Sequence, residues 1–131
     1  MILRRILAVC AVLAVAIAPS AAIAAPVRQG VLEANCERGP DVYDIGWNDR
    51  GKPVREVQCL LNWTLSDRVL SPRLVVDGHY GSLTTAAVKK FQECSHIWGY
   101  TLAVDGRVGR QTLPVLREWA QYGYNGGYAI C

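Results

Sequence analysis

Three stretches of the chain carry apolar residues at helical spacing, and turn-forming residues bound each of them. Val54, Val57 and Leu61 follow Pro53, which suits a first helical turn, and they predict a helix over about 53–66. Leu83, Ala87, Phe91 and Cys94 share one face of a second helix over about 82–96. Leu113, Leu116 and Trp119, with Ala120 beside them, predict a third over about 110–121. Pro114 falls early in that helix, where it costs little but can delay the start. Val75-Val76 and Leu102-Ala103-Val104 read as short extended pieces, and Ser71-Pro72 marks a loop. Residues 25–45 show no strong period and read as an N-terminal arm. Residues 121–131 read as an irregular Tyr/Gly-rich tail that wraps the domain.

The extended pieces lead into a repeat. Val75-Val76-Asp77-Gly78-His79-Tyr80-Gly81-Ser82-Leu83-Thr84 aligns without a gap, 28 residues on, with Ala103-Val104-Asp105-Gly106-Arg107-Val108-Gly109-Arg110-Gln111-Thr112. In each copy Asp-Gly is a turn pair: the Asp side chain bonds to backbone N–H groups just beyond it, and the Gly accepts positive φ. Gly81 and Gly109 sit where a helix begins and serve as permissive N-caps. Thr84 and Thr112 fall in the first helical turn, from which their hydroxyls reach back to Asp77 and Asp105. These eight residues are expected to be structural turns. Two spaced carboxylates suggest acid–base chemistry, but a repeat copies scaffold more readily than half of an active site.

The first 24 residues change the composition. Met1 to Arg5 is a short basic segment, Ile6 to Ala18 is an unbroken apolar run, and Ala22-Ile23-Ala24 offers small residues at a cleavage site. This is the pattern of a removable secretion signal peptide, and the run is too short to span a bilayer comfortably. Of those 24 residues 20 are hydrophobic, so the 51% hydrophobic fraction of the whole chain overstates that of residues 25–131. Removal of Arg4 and Arg5 leaves 12 basic against 11 acidic side chains. A net charge of +1 gives no footprint for nucleic acid or for an anionic membrane. Four cysteines then remain, Cys36, Cys59, Cys94 and Cys131, an even number that suits two disulfides in an exported chain. Their wide spacing argues against a zinc site, which brings cysteines in close pairs. Of the three pairings, Cys36–Cys131 with Cys59–Cys94 is favoured: the first closes the chain ends and the second joins neighbouring helices. Against it, Cys59 lies off the Val54/Val57/Leu61 stripe, on a side that could face the segment carrying Cys36.

The motifs resemble a known family. Gly51-Lys52-Pro53-Val54-Arg55-Glu56-Val57-Gln58 with Leu61 resembles the opening helix of the peptidoglycan-binding-like domain. Val76-Asp77-Gly78-His79-Tyr80-Gly81 with Thr84, Ala87-Val88 and Phe91-Gln92 is similar to its second motif, and Val104-Asp105-Gly106-Arg107-Val108-Gly109 with Thr112 to its third. The likeness covers about residues 46–120. It implies an all-α, compact three-helix fold, secretion, and binding of the bacterial cell wall as an accessory module. The chain departs from the pattern in its long loop after the first helix, in Ser95-His96-Ile97-Trp98-Gly99-Tyr100-Thr101-Leu102, in Trp119-Ala120, and in its cysteines.

Catalytic chemistry is thinly represented. His79 and His96 show no zinc-hydrolase spacing, no thiol is spare once two disulfides form, and no serine has a nucleophile-elbow context. Neither a metal nor a cofactor is expected. Binding is better supported, because four tryptophans and six tyrosines exceed what one small core requires. His79, Tyr80, Trp98, Tyr100 and Arg107 are expected to face a ligand. The two related turns should lie close together, so that their variable positions line one groove, with Arg107 holding a peptide-stem carboxylate. Trp119 and Phe91 are assigned to the core. The function expected is a secreted, monomeric, non-catalytic module binding peptidoglycan. A secreted protein-binding or inhibitor-like factor, or less favourably a minimal wall hydrolase, is the alternative.

Overall fold

The computed structural model describes residues 36–131, so the signal-peptide segment and the first part of the arm lie outside the described residues. Three α-helices form the body: α1 Lys52–Thr64, α2 Ser82–Ser95 and α3 Thr112–Tyr124, with a 3-10 turn His96–Trp98 after α2. Among the described residues extended pairing is limited to two isolated antiparallel bridges, Ile45 with Val108 and Arg50 with His79. The all-α expectation holds, with boundaries moved by a few residues. Pro114 sits in the first turn of α3, which begins at Thr112 rather than 110 and runs on through Tyr124 into what reads as tail.

The helical stripes converge on one core. Val54, Val57, Leu60 and Leu61 of α1 meet Ala87, Val88 and Phe91 of α2 and Leu113, Leu116 and Ala120 of α3, all buried. The axis of packing is α1 against α3. Gly123 marks a close approach of the two, since a Cβ there would stand 2.5 Å from the Trp63 carbonyl oxygen. The long loop after α1 is held by Asn62. Its amide donates to Leu74 O and accepts from Leu74 N–H, each at 2.9 Å.

The disulfides correct the expected pairing: Cys36 bonds Cys59 and Cys94 bonds Cys131, with Cα separations of 5.5 and 5.7 Å. Neither Cys36–Cys131 nor Cys59–Cys94 forms. The reason lies in the path of residues 36–45. They run along the outer side of α1, where Gly39 N–H donates to Glu56 Oε2 at 2.9 Å. Cys59, off the core stripe, faces that segment. Cys94, at the end of α2, meets the returning tail, which is also fixed by Ile130 N–H to Thr64 O and Ser66 Oγ to Cys131 O, both 2.8 Å. In the chain-entropy picture these loops stabilise the fold by about 3.5 and 4 kcal/mol at most.

An ion-pair network joins the same segment to α1 and α3. Arg117 donates through Nε and Nη2 to the two oxygens of Glu56, at 2.8 and 3.1 Å, and through Nη1 to Asp41 at 2.6 Å. The Glu56 side chain is only 4% exposed. Such a buried charge is tolerated because both its oxygens are bonded.

Candidate functional site

The two repeated turns are built alike, and the part that locks them is a glutamine. Gln58 of α1 accepts Gly78 N–H at 2.9 Å and donates to Asp77 Oδ1 at 2.8 Å and His79 O at 3.1 Å. Gln92 of α2 does the same one unit later, accepting Gly106 N–H at 2.9 Å and donating to Asp105 Oδ1 at 3.0 Å and Arg107 O at 2.9 Å. Gly78 and Gly106 share a φ of +76°, the left-handed geometry that favours glycine. Asp77 and Asp105 each accept the N–H two residues on, at 2.9 and 2.8 Å. The expected return bonds from Thr84 and Thr112 to these aspartates are replaced by the glutamines, and Thr84 Oγ1 instead accepts from Gln58 at 3.3 Å.

These bonds set the local electrostatics. The His79 backbone N–H, then the Gln58 amide, hold the Asp77 carboxyl below its ordinary range. Burial works upward on Asp105, but the Arg107 N–H and the Gln92 amide outweigh it, so its carboxyl is lowered too.

The two corners lie side by side. Tyr80 Oη donates to Gly106 O at 2.7 Å, directly between them. The segment 44–51 laces both: Ile45 pairs with Val108 in both directions, Asn48 and Asp49 pair with Tyr80, and Gly51 N–H bonds Gly78 O. Tyr80 is therefore not a ligand-facing residue. It is 0% exposed, and burial pushes its phenol far above the ordinary tyrosine range. The variable pair of each turn divides by face, with His79 and Arg107 outward and Tyr80 and Val108 inward.

The remaining candidates do not share one groove. His79 lines a groove of about 440 Å³ with Trp47, Asp77, Ser82 and Leu83, beside the first corner. Trp98 and Tyr100 line another, about 510 Å³, with Glu118, Trp119, Tyr122 and Tyr128. Arg107 lines neither. Its guanidinium is engaged by Asp44, at 2.7 Å from Nε and 2.5 Å from Nη2, and this pairing raises its pKa. It folds back over Gly46, where a Cβ would come within 2.8 Å of Nη1. The expectation that Arg107 holds a stem carboxylate thus meets an internal carboxylate already in place.

Two contributors were missed from sequence. Trp47, 59% exposed, lies in a segment without periodicity, where an unpatterned tryptophan was the only signal. Trp119, assigned to the core, packs at 5.0 Å from Trp98 and 5.6 Å from Tyr122 and forms the groove wall. Its Nε1–H is buried without a well-formed hydrogen bond. Burial and the Glu118 carboxylate, which accepts from Tyr100 Oη at 3.2 Å, raise the Tyr100 phenol, while proximity to Trp119 tempers the rise.

Among the described residues no group of three or more His, Cys, Asp or Glu stands together as a metal site, and no helix is long and apolar enough to cross a membrane. No curated protein matches the chain significantly. One family model, described as "Putative peptidoglycan binding domain", matches residues 50–116, which takes in α1, both glutamine-clamped corners, α2 and the start of α3. With half of its length matched and the motif residues forming the paired corners, the chain belongs to the peptidoglycan-binding domain family.

Proposed function

We propose that this protein is a secreted, non-catalytic module that binds bacterial peptidoglycan at the cell wall. The observation that carries the reading is the family match across both clamped corners. It supports wall binding by the part of the molecule that carries the two clamped corners. Two disulfides suit a protein that works outside the reducing cytoplasm. The titratable groups of the corners support the same reading. Asp77 and Asp105 are lowered carboxylates whose hydrogen bonds hold turns together, whereas a general acid needs a raised pKa. The groove-lining members of the expected ligand set, His79 on one groove and Trp98 and Tyr100 on the other, are the candidate wall contacts.

The test is sedimentation of the oxidised protein, residues 25–131, with insoluble sacculi, followed by analysis of the soluble fraction. Retention on sacculi with no release of muropeptides is expected. Failure to sediment with sacculi from several bacteria refutes wall binding, and release of soluble fragments refutes the non-catalytic assignment.

A further inference from the structure

We infer that the groove between α3, the 3-10 turn and the tail is a saccharide subsite, which takes an uncharged N-acetylhexosamine stretch of a glycan strand rather than a peptide stem. The inference rests on the wall-binding reading and assigns it a ligand class. Most of the groove lies outside the matched family region: Glu118, Trp119, Gln121, Tyr122, Asn125 and Tyr128 all follow residue 116.

The lining has the composition a sugar needs. Trp98, Trp119, Tyr122 and Tyr128 offer ring faces and edges for the apolar side of a pyranose and for an acetyl methyl. Glu118, Gln121 and Asn125 supply acceptors and amide donors for hydroxyl and acetamido groups. The groove holds one carboxylate and no basic side chain. An anionic stem terminus would meet Glu118 with nothing to neutralise it, while a neutral polyol gains a charge-assisted acceptor. Its volume of about 510 Å³ lies within the usual range for small-molecule sites, roughly 300–1,000 Å³.

The site is also held in shape without a ligand. Trp98 Nε1–H donates to Ile130 O at 2.9 Å, tying the 3-10 turn to the tail beside the Cys94–Cys131 bond. Gly127 N–H bonds Tyr122 O at 3.0 Å. A Cβ on Gly127 would lie 2.4 Å from the Tyr122 ring, so the tail backbone presses directly on that ring. Trp98 and Tyr128 nonetheless stay open, 56% and 84% exposed. Trp98, held by its bond to Ile130 and by Trp119, keeps an open face and loses little side-chain entropy on binding.

The experiment titrates the oxidised protein with the neutral tetra-N-acetyl form of chitotetraose, read by tryptophan fluorescence and by the indole N–H signals in NMR, with tetramethylammonium as a second probe and sacculi sedimentation in parallel. Chitotetraose is expected to shift the Trp98 and Trp119 indoles. Trp98→Ala and Tyr128→Ala are each expected to weaken binding at least tenfold, and Ile97→Ala, on the same 3-10 turn but outside the groove, to leave it unchanged. Tyr128 makes no hydrogen bond through its side chain, so its variant keeps the fold if Trp98→Ala loosens the tail. Sacculi retention without any chitotetraose response, and insensitive to Tyr128→Ala, overturns the saccharide subsite while leaving wall binding standing. An indole response to tetramethylammonium in place of chitotetraose also overturns it, in favour of a cation site. Loss of sacculi binding by the wild type overturns the wall-binding reading itself.

Discussion

Replacing Gln92 by Met removes a corner clamp while nearly preserving side-chain length. Gln92 is 1% exposed and makes three bonds of 2.9–3.0 Å to Gly106, Asp105 and Arg107. Asp105 keeps the Arg107 N–H, but Gly106 N–H is left buried without an acceptor and Arg107 O loses its donor. At about 1 kcal/mol net per bond, with a further 1–3 kcal/mol for the buried group left orphaned, the expected loss is about 4–6 kcal/mol. A domain of this size has about 5–15 kcal/mol in total, so the variant gives up a large share of it. The melting temperature should fall by more than about 10 °C. Urea denaturation of oxidised wild type and variant measures the loss directly. Gln58→Met, at the matching position, should cost a similar amount. Because Tyr80 Oη joins the two corners, the double variant should lose less than the sum. A loss under about 1 kcal/mol at unchanged m-value would show that the clamp is idle and refute the argument.

Three further outcomes follow from the packing and the charges. Arg117→Met leaves Glu56 buried without its guanidinium and should cost about 3–5 kcal/mol in urea melts, more than Arg117→Met combined with Glu56→Gln. Gly123→Ala places a Cβ against the Trp63 carbonyl at 2.5 Å, forcing α3 away from α1, and should destabilise the protein by about 1–3 kcal/mol on thermal melting. Asp77 and Asp105 have folded pKa values below their unfolded ones, so their stabilisation is complete above about pH 4 and is lost as pH falls through the lower folded values. Stability measured at about pH 6 and pH 3 should therefore drop in the wild type, and drop less in Asp105→Asn.

Much of the scaffold was legible because it is local. A turn pair, a glycine and a helical stripe repeated at one spacing define the corners and the three helices without long-range information. The inward face of Tyr80 was legible too, had the two copies been compared by polarity: Val108 occupies its register, and an apolar residue there marks the buried side. The role of Gln58 and Gln92 was harder to read. The residues stand within the motifs, but each acts on a corner 19 or 13 residues away, at a separation that differs between the copies. The choice of disulfide pairing and the Arg107–Asp44 pair were hard to read for a different reason. Cys36–Cys59 and the ion pair depend on the course of residues 36–51, a segment without periodicity, and Cys94–Cys131 depends on the path of the irregular tail.

The alternation of helix and corner is not carried through all three helices. Each of the first two helices grips the corner that follows it, but 28 positions beyond Gln92 stands Ala120, fully buried and without a polar group. At this register α3 lacks the amide that locks a corner, so the clamp is present on two of the three helices among the described residues. Cys131 instead bonds Cys94 at the end of α2, so the third helix is followed by a covalent anchor for the returning tail and not by a clamped corner.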